Sequence, residues 1–271
     1  MELTGKNRNV LEKFYTHPNI AKKCMKTISN IANLEVFTHI VEPSAGLGVF
    51  LDVLKIVNLK EGVNIFGGDI LSTRPDIKEQ NFLHTSAEQI EEWRKGTTLV
   101  LGNPPFGRQS KTLKKFIKQS ILFAHTIAFI LPRSFLKPSL QKNFPPEFHL
   151  LYNDELPTYC FQLENGKRHH VPCVFQIWER KSTFRTLPPV YQPNQYYQFT
   201  NDPTEADFCF RRVGVYAGQV STHCTDKSKN SHYFIQFSFE ITKPDEIIEK
   251  IHNITNWTSD FTVGPKSISK Q

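Results

Sequence analysis

The stretch Leu99-Val100-Leu101-Gly102-Asn103-Pro104-Pro105-Phe106 constrains the fold more than any other. Its apolar run reads as a fully buried strand of the kind found in parallel sheets. Neither proline has an N–H to give a neighbouring strand, and each fixes its own φ at about −65°. Pro105 also pushes Pro104 towards extended backbone. The strand therefore stops, and a stiff loop holds Asn103 and Phe106 at its carboxyl end. In open α/β sheets that edge is where ligands bind. The loop offers one side-chain amide, carbonyls and one aromatic face, the parts that grip a planar amino group on a flat ring.

Two earlier strand ends carry complementary chemistry. His39-Ile40-Val41 runs into Glu42-Pro43-Ser44-Ala45-Gly46-Leu47-Gly48, which predicts a short buried strand, a tight turn and a helix to about Val57. Gly46 and Gly48 let backbone approach a ligand, and the following helix N-terminus is aimed at the same place. The third glycine of the dinucleotide fingerprint is missing, and Glu42 would repel phosphate while attracting an amine or a sulfonium. An ordinary tight turn fits the same residues. The strand Asn64–Asp69 ends on an acid where βαβ units hold ribose hydroxyls, although a solvated loop aspartate fits as well. Gln80–Leu83 reads as a third short strand, Ala87–Arg94 as a helix and Thr126–Pro132 as a fifth strand. Ahead of them all, Thr16 is the expected N-cap of a helix with Pro18 in its first turn. Its residues Ile20, Ala21, Cys24, Met25 and Ile28 fall on one face.

The segment after the proline loop is basic. Arg108 leads into a helix whose Lys111, Lys114, Lys115 and Lys118 share one face, with no acidic residue among them. Leu113, Phe116 and Ile117 are left to face the sheet. Such a face is either a phosphate-contacting surface or a solvated one. The turn Glu164–His170 adds Lys167, Arg168, His169 and His170, again either a nucleic-acid contact or a loop that is merely basic. A net charge of +7 and a pI of about 9.1 favour an acidic partner such as nucleic acid.

Residues Thr183–Tyr197 are rich in Pro, Gln and Tyr without a period, which suggests a linker or a wrapped segment. The chain thus divides into a larger domain over 1–182 and a small β-rich extension over 183–271. Strands are expected at Asp207–Val215 and His232–Phe237, and a short helix at Pro244–Ile254. Five scattered cysteines without a Cys-x-x-Cys read as reduced, buried thiols of an intracellular protein. No metal site, signal core or membrane span is expected.

In this order, Phe14-Tyr15-Thr16-x-Pro18, Glu42-Pro43-x-Ala45-Gly46-x-Gly48, Asp69, Asn81-Phe82-Leu83 and Asn103-Pro104-Pro105-Phe106 resemble the S-adenosylmethionine-dependent amino-methyltransferases of the N6-adenine class. The likeness covers residues 10–180 and is closest to the arrangement with cofactor motifs first and target recognition C-terminal. It implies a doubly wound, mostly parallel, seven-stranded Rossmann-like sheet. By resemblance, Tyr15 and Thr16 cover the methionine part of S-adenosyl-L-methionine. Glu42, Pro43, Ser44, Ala45, Gly46 and Gly48 cradle it. Asp69 holds the ribose, and Ile70, Asn81 and Phe82 border the adenine. Family members often carry Asp at the position of Asn81 and Tyr-Thr-Pro where this chain has Thr16-His17-Pro18. Asn103 and Pro104 would accept the N–H groups of a target amine, with Pro105 stiffening the loop and Phe106 stacking on the base. The implied activity is methyl transfer to the N6 of adenine in nucleic acid, DNA ahead of RNA. The alternatives are a glutamine-amide methyltransferase or an inactive nucleic-acid-binding subunit, and help from a partner subunit is compatible with each.

Overall fold

In a computed structural model the apolar runs become the strands of one twisted sheet. It describes residues 14–72, 74–187 and 195–238, with the single positions 246, 249, 250, 253 and 268. Within the first unit, residues 1–187, the chain passes in order through β1 (Tyr15–Thr16), α1 (Pro18–Ile31), β2 (His39–Glu42), α2 (Val49–Leu54), β3 (Asn64–Asp69), β4 (Lys78–Glu79), α3 (Ala87–Arg94) and β5 (Thr98–Gly102). It continues through α4 (Lys111–Ser120), β6 (Thr126–Pro132), α5 (Pro138–Gln141), β7 (Phe148–Glu155), β8 (Phe161–Gln162), β9 (Arg168–His169) and β10 (Cys173–Arg180).

Seven of these strands form the main sheet in the order β4-β3-β2-β5-β6-β10-β7. The first five run parallel, and β10 is antiparallel to both β6 and β7. This is the doubly wound α/β fold that the motif order implies. Alternate side chains of each strand enter opposite cores, as the pleat requires. Ile40, Leu99, Leu101, Ala128 and Ile130 pack with Ile20, Met25, Ile28 and Phe50 from α1 and α2. Val41, Val100, Ile127, Phe129 and Leu131 pack with Trp93, Leu113, Phe116 and Ile117 from α3 and α4. Both faces are covered, which is why the strands read as apolar runs rather than alternating ones.

Two local expectations change. Thr16 pairs in β1, and His17 caps α1 instead, its ring accepting from the Asn19 N–H at 3.3 Å. Pro18 has no N–H, so the first amide in need of a partner is the next one. Residues 80–83 are not a strand. The edge strand is the earlier pair Lys78–Glu79, and Asn81 caps a 3-10 turn over Phe82–His84 by accepting from the Leu83 N–H at 3.1 Å. Asn side chains compete for nearby backbone in this way.

Residues 183–187 are tacked onto the first unit by Arg185, whose guanidinium donates to the carbonyls of Gln141, Phe144 and Phe148 and lies 5.2 Å over Trp178. The second unit, residues 188–271, holds a four-stranded antiparallel sheet. Its strands are β11 (Tyr197–Thr200), β12 (Phe208–Arg211), β13 (Val220–Ser221) and β14 (His232–Phe237), in the order β11-β14-β12-β13. Phe208, Phe210, Val220 and Ile235 form its core. Most of the segment Pro244–Ile254, read as a helix, lies outside the described residues. All five cysteines are buried free thiols. Among the described residues no helix is long and apolar enough to cross a membrane.

Candidate active site

Three strand ends meet at the carboxyl edge of the sheet. The turn after β2 is tight because Gly46 and Gly48 take left-handed φ of 54° and 77°. A Cβ on Gly46 would stand 3.1 Å from the Tyr15 ring, and one on Gly48 would collide with the Arg74 guanidinium at 2.4 Å. Glycine is therefore favoured at both positions by backbone, and a side chain there would also have to displace the Tyr15 ring or the Arg74 guanidinium. Asp69, at the end of β3, accepts from the Gly46 N–H at 2.7 Å and from the Leu71 N–H at 3.1 Å. Its carboxylate latches the turn to the neighbouring strand.

Asn103 follows β5 directly. Its Nδ2 donates to the Phe14 carbonyl at 3.0 Å, and its own carbonyl accepts from Ser44 Oγ at 3.3 Å. A carbonyl can only accept, so the Phe14 contact fixes which end of the amide is which and leaves Asn103 Oδ1 as the acceptor facing elsewhere. Among the described residues nothing donates to the carbonyl of the buried Pro104. Phe106 is half-buried and packs against both cores, with Pro105 beside it. Gln109 and Ser110 then take left-handed φ of 56° and 57° before α4 begins. For side chains without glycine's freedom that costs roughly 1–2 kcal/mol each, a strain often found beside functional loops.

The wall opposite is β1. It pairs antiparallel with β8, Tyr15 with Gln162 and Thr16 with Phe161. The His17 N–H donates to the Cys160 carbonyl at 3.0 Å, and the Phe14 ring stacks on His169 at 4.6 Å. His169 is thus held against the wall of the site, and burial together with the His170 charge lowers its pKa.

Between wall and turns lies a cleft of about 200 Å³, lined in part by Tyr15, Thr16, Glu42, Ser44, Ala45, Gly46 and Asn103. These seven expected residues meet there. Phe14, Asp52 and Gln162 also line it. Nothing in the local pattern marks Gln162, which arrives on a two-residue strand, or Arg74, whose guanidinium donates to Asp52, Asp76 and the Leu47 carbonyl over Gly48. Pro43, Gly48 and Asp69 shape the turn without lining the cleft. Ile70 is half exposed beyond Asp69. Phe82 stands apart: its ring is 3% exposed and packs on Phe116 at 5.2 Å, so it belongs to the core and offers a ligand no ring face. The oxygen of Asn81 is committed to its turn.

Two buried polar atoms in the cleft have no hydrogen-bond partner among the described residues, Thr16 Oγ1 and Glu42 Oε2. Such atoms are rare in folded proteins, and each calls for a specific explanation. Burial, and secondarily the charge of Asp69, raises the Glu42 pKa well above the ordinary carboxylate range, against the pull of the Leu51 N–H and Arg74. A carboxyl raised in this way loses stability relative to the unfolded chain as pH climbs past its unfolded value of about 4.3. Glu42→Gln is therefore expected to raise the melting temperature by several degrees at pH 7 and by little at pH 4.5. Differential scanning calorimetry at both values checks this, and an equal shift at the two would sink it.

The basic residues keep to the same unit. Arg108, Lys111, Lys115 and Lys118 are exposed and Lys114 half-buried, and none of them makes an ion pair among the described residues. Arg168 is exposed on β9. Residues 101–150 contain eight lysines and arginines against the single acid Glu147, whereas residues 188–271 contain eight against nine. No group of three or more His, Cys, Asp or Glu among the described residues is arranged to hold a metal.

No protein-family model matches the chain, and no curated protein matches it. Solved structures resemble it in shape. One is a type I restriction-modification methyltransferase subunit from Streptococcus thermophilus, at 17% identity and a TM-score of 0.49, covering 65% of this chain and 46% of that one. Another is the type IIG restriction endonuclease BpuSI, at 13% identity and 0.48, covering 66% of this chain and 26% of that one. A third is an S-adenosylmethionine-dependent methyltransferase from Anabaena variabilis, at 12% and 0.42, covering 64% and 89%. The chain therefore spans less than half the length of the first and about a quarter of the second. Likenesses of this degree assign no activity.

Proposed function

We propose that this chain is an S-adenosylmethionine-dependent methyltransferase that methylates the N6 amino group of adenine in nucleic acid, DNA ahead of RNA. The observation that carries the reading is the pairing of Asn103 with the cleft. An amide oriented by the Phe14 carbonyl stands on the rim of a site whose buried acceptors, Thr16 Oγ1 and Glu42 Oε2, have no partner. Those atoms suit the methionine portion of the cofactor, with Thr16 and Glu42 towards its amino-acid end and Tyr15 and the Ser44–Gly46 turn along its length. When bound, the cofactor supplies an electrophilic methyl on a sulfonium.

The protein's part is positioning and electrostatics. An adenine amino group is a poor nucleophile because its lone pair is delocalised into the ring. Asn103 Oδ1 and the Pro104 carbonyl each accept one of its N–H bonds, which favours pyramidal nitrogen and frees the lone pair. No base is needed before transfer, since the product ammonium is strongly acidic. Phe106 stacks on the target base, worth roughly 1–3 kcal/mol, against the few kcal/mol needed to extrude a base from a duplex. Arg108, Lys111, Lys114, Lys115, Lys118 and Arg168 hold the backbone phosphates. Residues 188–271, nearly charge-balanced, contribute target recognition by contacts other than phosphate neutralisation, alone or with a partner subunit.

Purified protein incubated with tritiated cofactor and separate pools of DNA, RNA and protein tests the proposal. Label is expected in nucleic acid as N6-methyladenine. Label confined to protein would favour a glutamine-amide substrate, towards which the same loop has the right acceptors.

A further inference from the structure

Glu42 is 1% exposed, at the floor of the cleft, and among the described residues no cation pairs with its carboxyl: the Leu51 N–H is its one favourable contact, and Oε2 has no partner. Beside it on β5 lies Gly102, at a left-handed φ of 137°, where a Cβ would be in ordinary contact with Glu42 Cγ at 3.4 Å. The charged groups that act on it come from three elements. Asp69 ends β3, Asp52 lies on α2, and Arg74 belongs to the loop after β3. Two of the three are negative. The third, Arg74, holds Asp52 through both of its oxygens at 2.8 and 2.9 Å and Asp76 through both of its oxygens at 2.7 and 2.9 Å. Its charge is answered by those two aspartates. A buried carboxyl with acids beside it and no counter-ion of its own favours the neutral form.

We propose that Glu42 carries a proton in the free protein and releases it when a ligand bearing an ammonium group enters the cleft. The inference rests on the methyltransferase reading, in which the amino-acid end of the cofactor supplies that ammonium. In the exchange the O–H bond of the carboxyl breaks and the proton leaves with solvent buffer. The carboxylate left behind pairs with the incoming cation, so the site changes from neutral to charged only when the charge is matched. Binding is thereby linked to pH. Affinity for the cofactor rises with pH, by up to tenfold per unit, while Glu42 is protonated in the free protein and ionised in the complex. The window from about pH 5.5 to 7 reports this cleanly, because α-amino groups still hold their proton there.

Isothermal titration calorimetry of the full chain at pH 6.5, in phosphate and in an amine buffer of large ionisation enthalpy, measures the proton directly. S-adenosylhomocysteine keeps the ammonium without the sulfonium, and methylthioadenosine has neither. We expect about one proton released per S-adenosylhomocysteine bound, none with methylthioadenosine, and none with either ligand for Glu42→Gln. Binding of S-adenosylhomocysteine with the same enthalpy in both buffers would overturn the inference and leave the methyltransferase reading standing. Equal release with methylthioadenosine would overturn it too, since the ammonium would not be the trigger. Failure of both S-adenosylhomocysteine and S-adenosylmethionine to bind would instead overturn the reading on which it rests.

Discussion

Asn103→Ala is expected to lower methyl transfer by at least about 10²-fold while the Kd for S-adenosylhomocysteine changes by no more than about tenfold. The first figure follows from removing an acceptor that acts on the reacting nitrogen, the kind of loss that costs roughly 10²–10³ in rate. The second follows from losing one neutral hydrogen bond, that from Nδ2 to the Phe14 carbonyl at 3.0 Å, worth about 0.5–1.5 kcal/mol. Asn103→Asp separates the two roles of the side chain. It keeps an acceptor for the substrate but sets a carboxylate oxygen against the Phe14 carbonyl, so cofactor affinity falls more than with alanine. Single-turnover transfer and calorimetric titration on the same preparations measure both. A variant that loses cofactor binding and transfer together would make Asn103 a part of the cleft wall rather than of the chemistry.

Replacing Lys111, Lys114, Lys115 and Lys118 together by Gln should weaken nucleic-acid binding and flatten its salt dependence. For duplex DNA each phosphate contact contributes about 0.9 to the slope of log K against log salt, so four contacts lower the slope by about 3.6. The helix itself should survive, since Leu113, Phe116 and Ile117 hold it to the core from the opposite face and none of the four lysines is in an ion pair among the described residues. Fluorescence anisotropy across a salt series, with circular dichroism to confirm folding, reads the effect. An unchanged slope would return these lysines to the role of a solvated surface.

The parts of this architecture that repeat at short range were legible from residue order. Continuous apolar strands, the paired glycines after β2 and the face of α1 formed by Ile20, Ala21, Cys24, Met25 and Ile28 all follow from local period and backbone preference. What escaped the sequence depends on residues far apart. Asn81 looks like a ring contact until its side chain is seen capping its own turn. Phe82 looks available until Phe116 and Phe123 close over it. Thr16 has the chemistry of a cap, yet pairing with Phe161 draws it into a strand and passes the cap to His17. Gln162 and Arg74 border the site from segments whose composition says only turn or loop. A two-residue strand has no period to detect, and an arginine reveals its role only by the aspartates it meets.

The pairing of β1 with β8 bears on how this protein comes into being. Thr16 and Phe161 stand about 145 positions apart, and the junction is short: two paired residues on each strand, the His17 N–H bond to the Cys160 carbonyl and the Phe14–His169 stack. Contacts so distant in sequence raise the contact order of the fold and slow its formation. During synthesis the glycine turn and the proline loop can be built while the remaining wall of the cleft still waits for residues 160–170 to emerge. The same brevity makes this junction the natural place for local opening in the finished protein. Amide exchange at Tyr15 and Thr16 should therefore outpace that of β5 by orders of magnitude and slow on ligand addition.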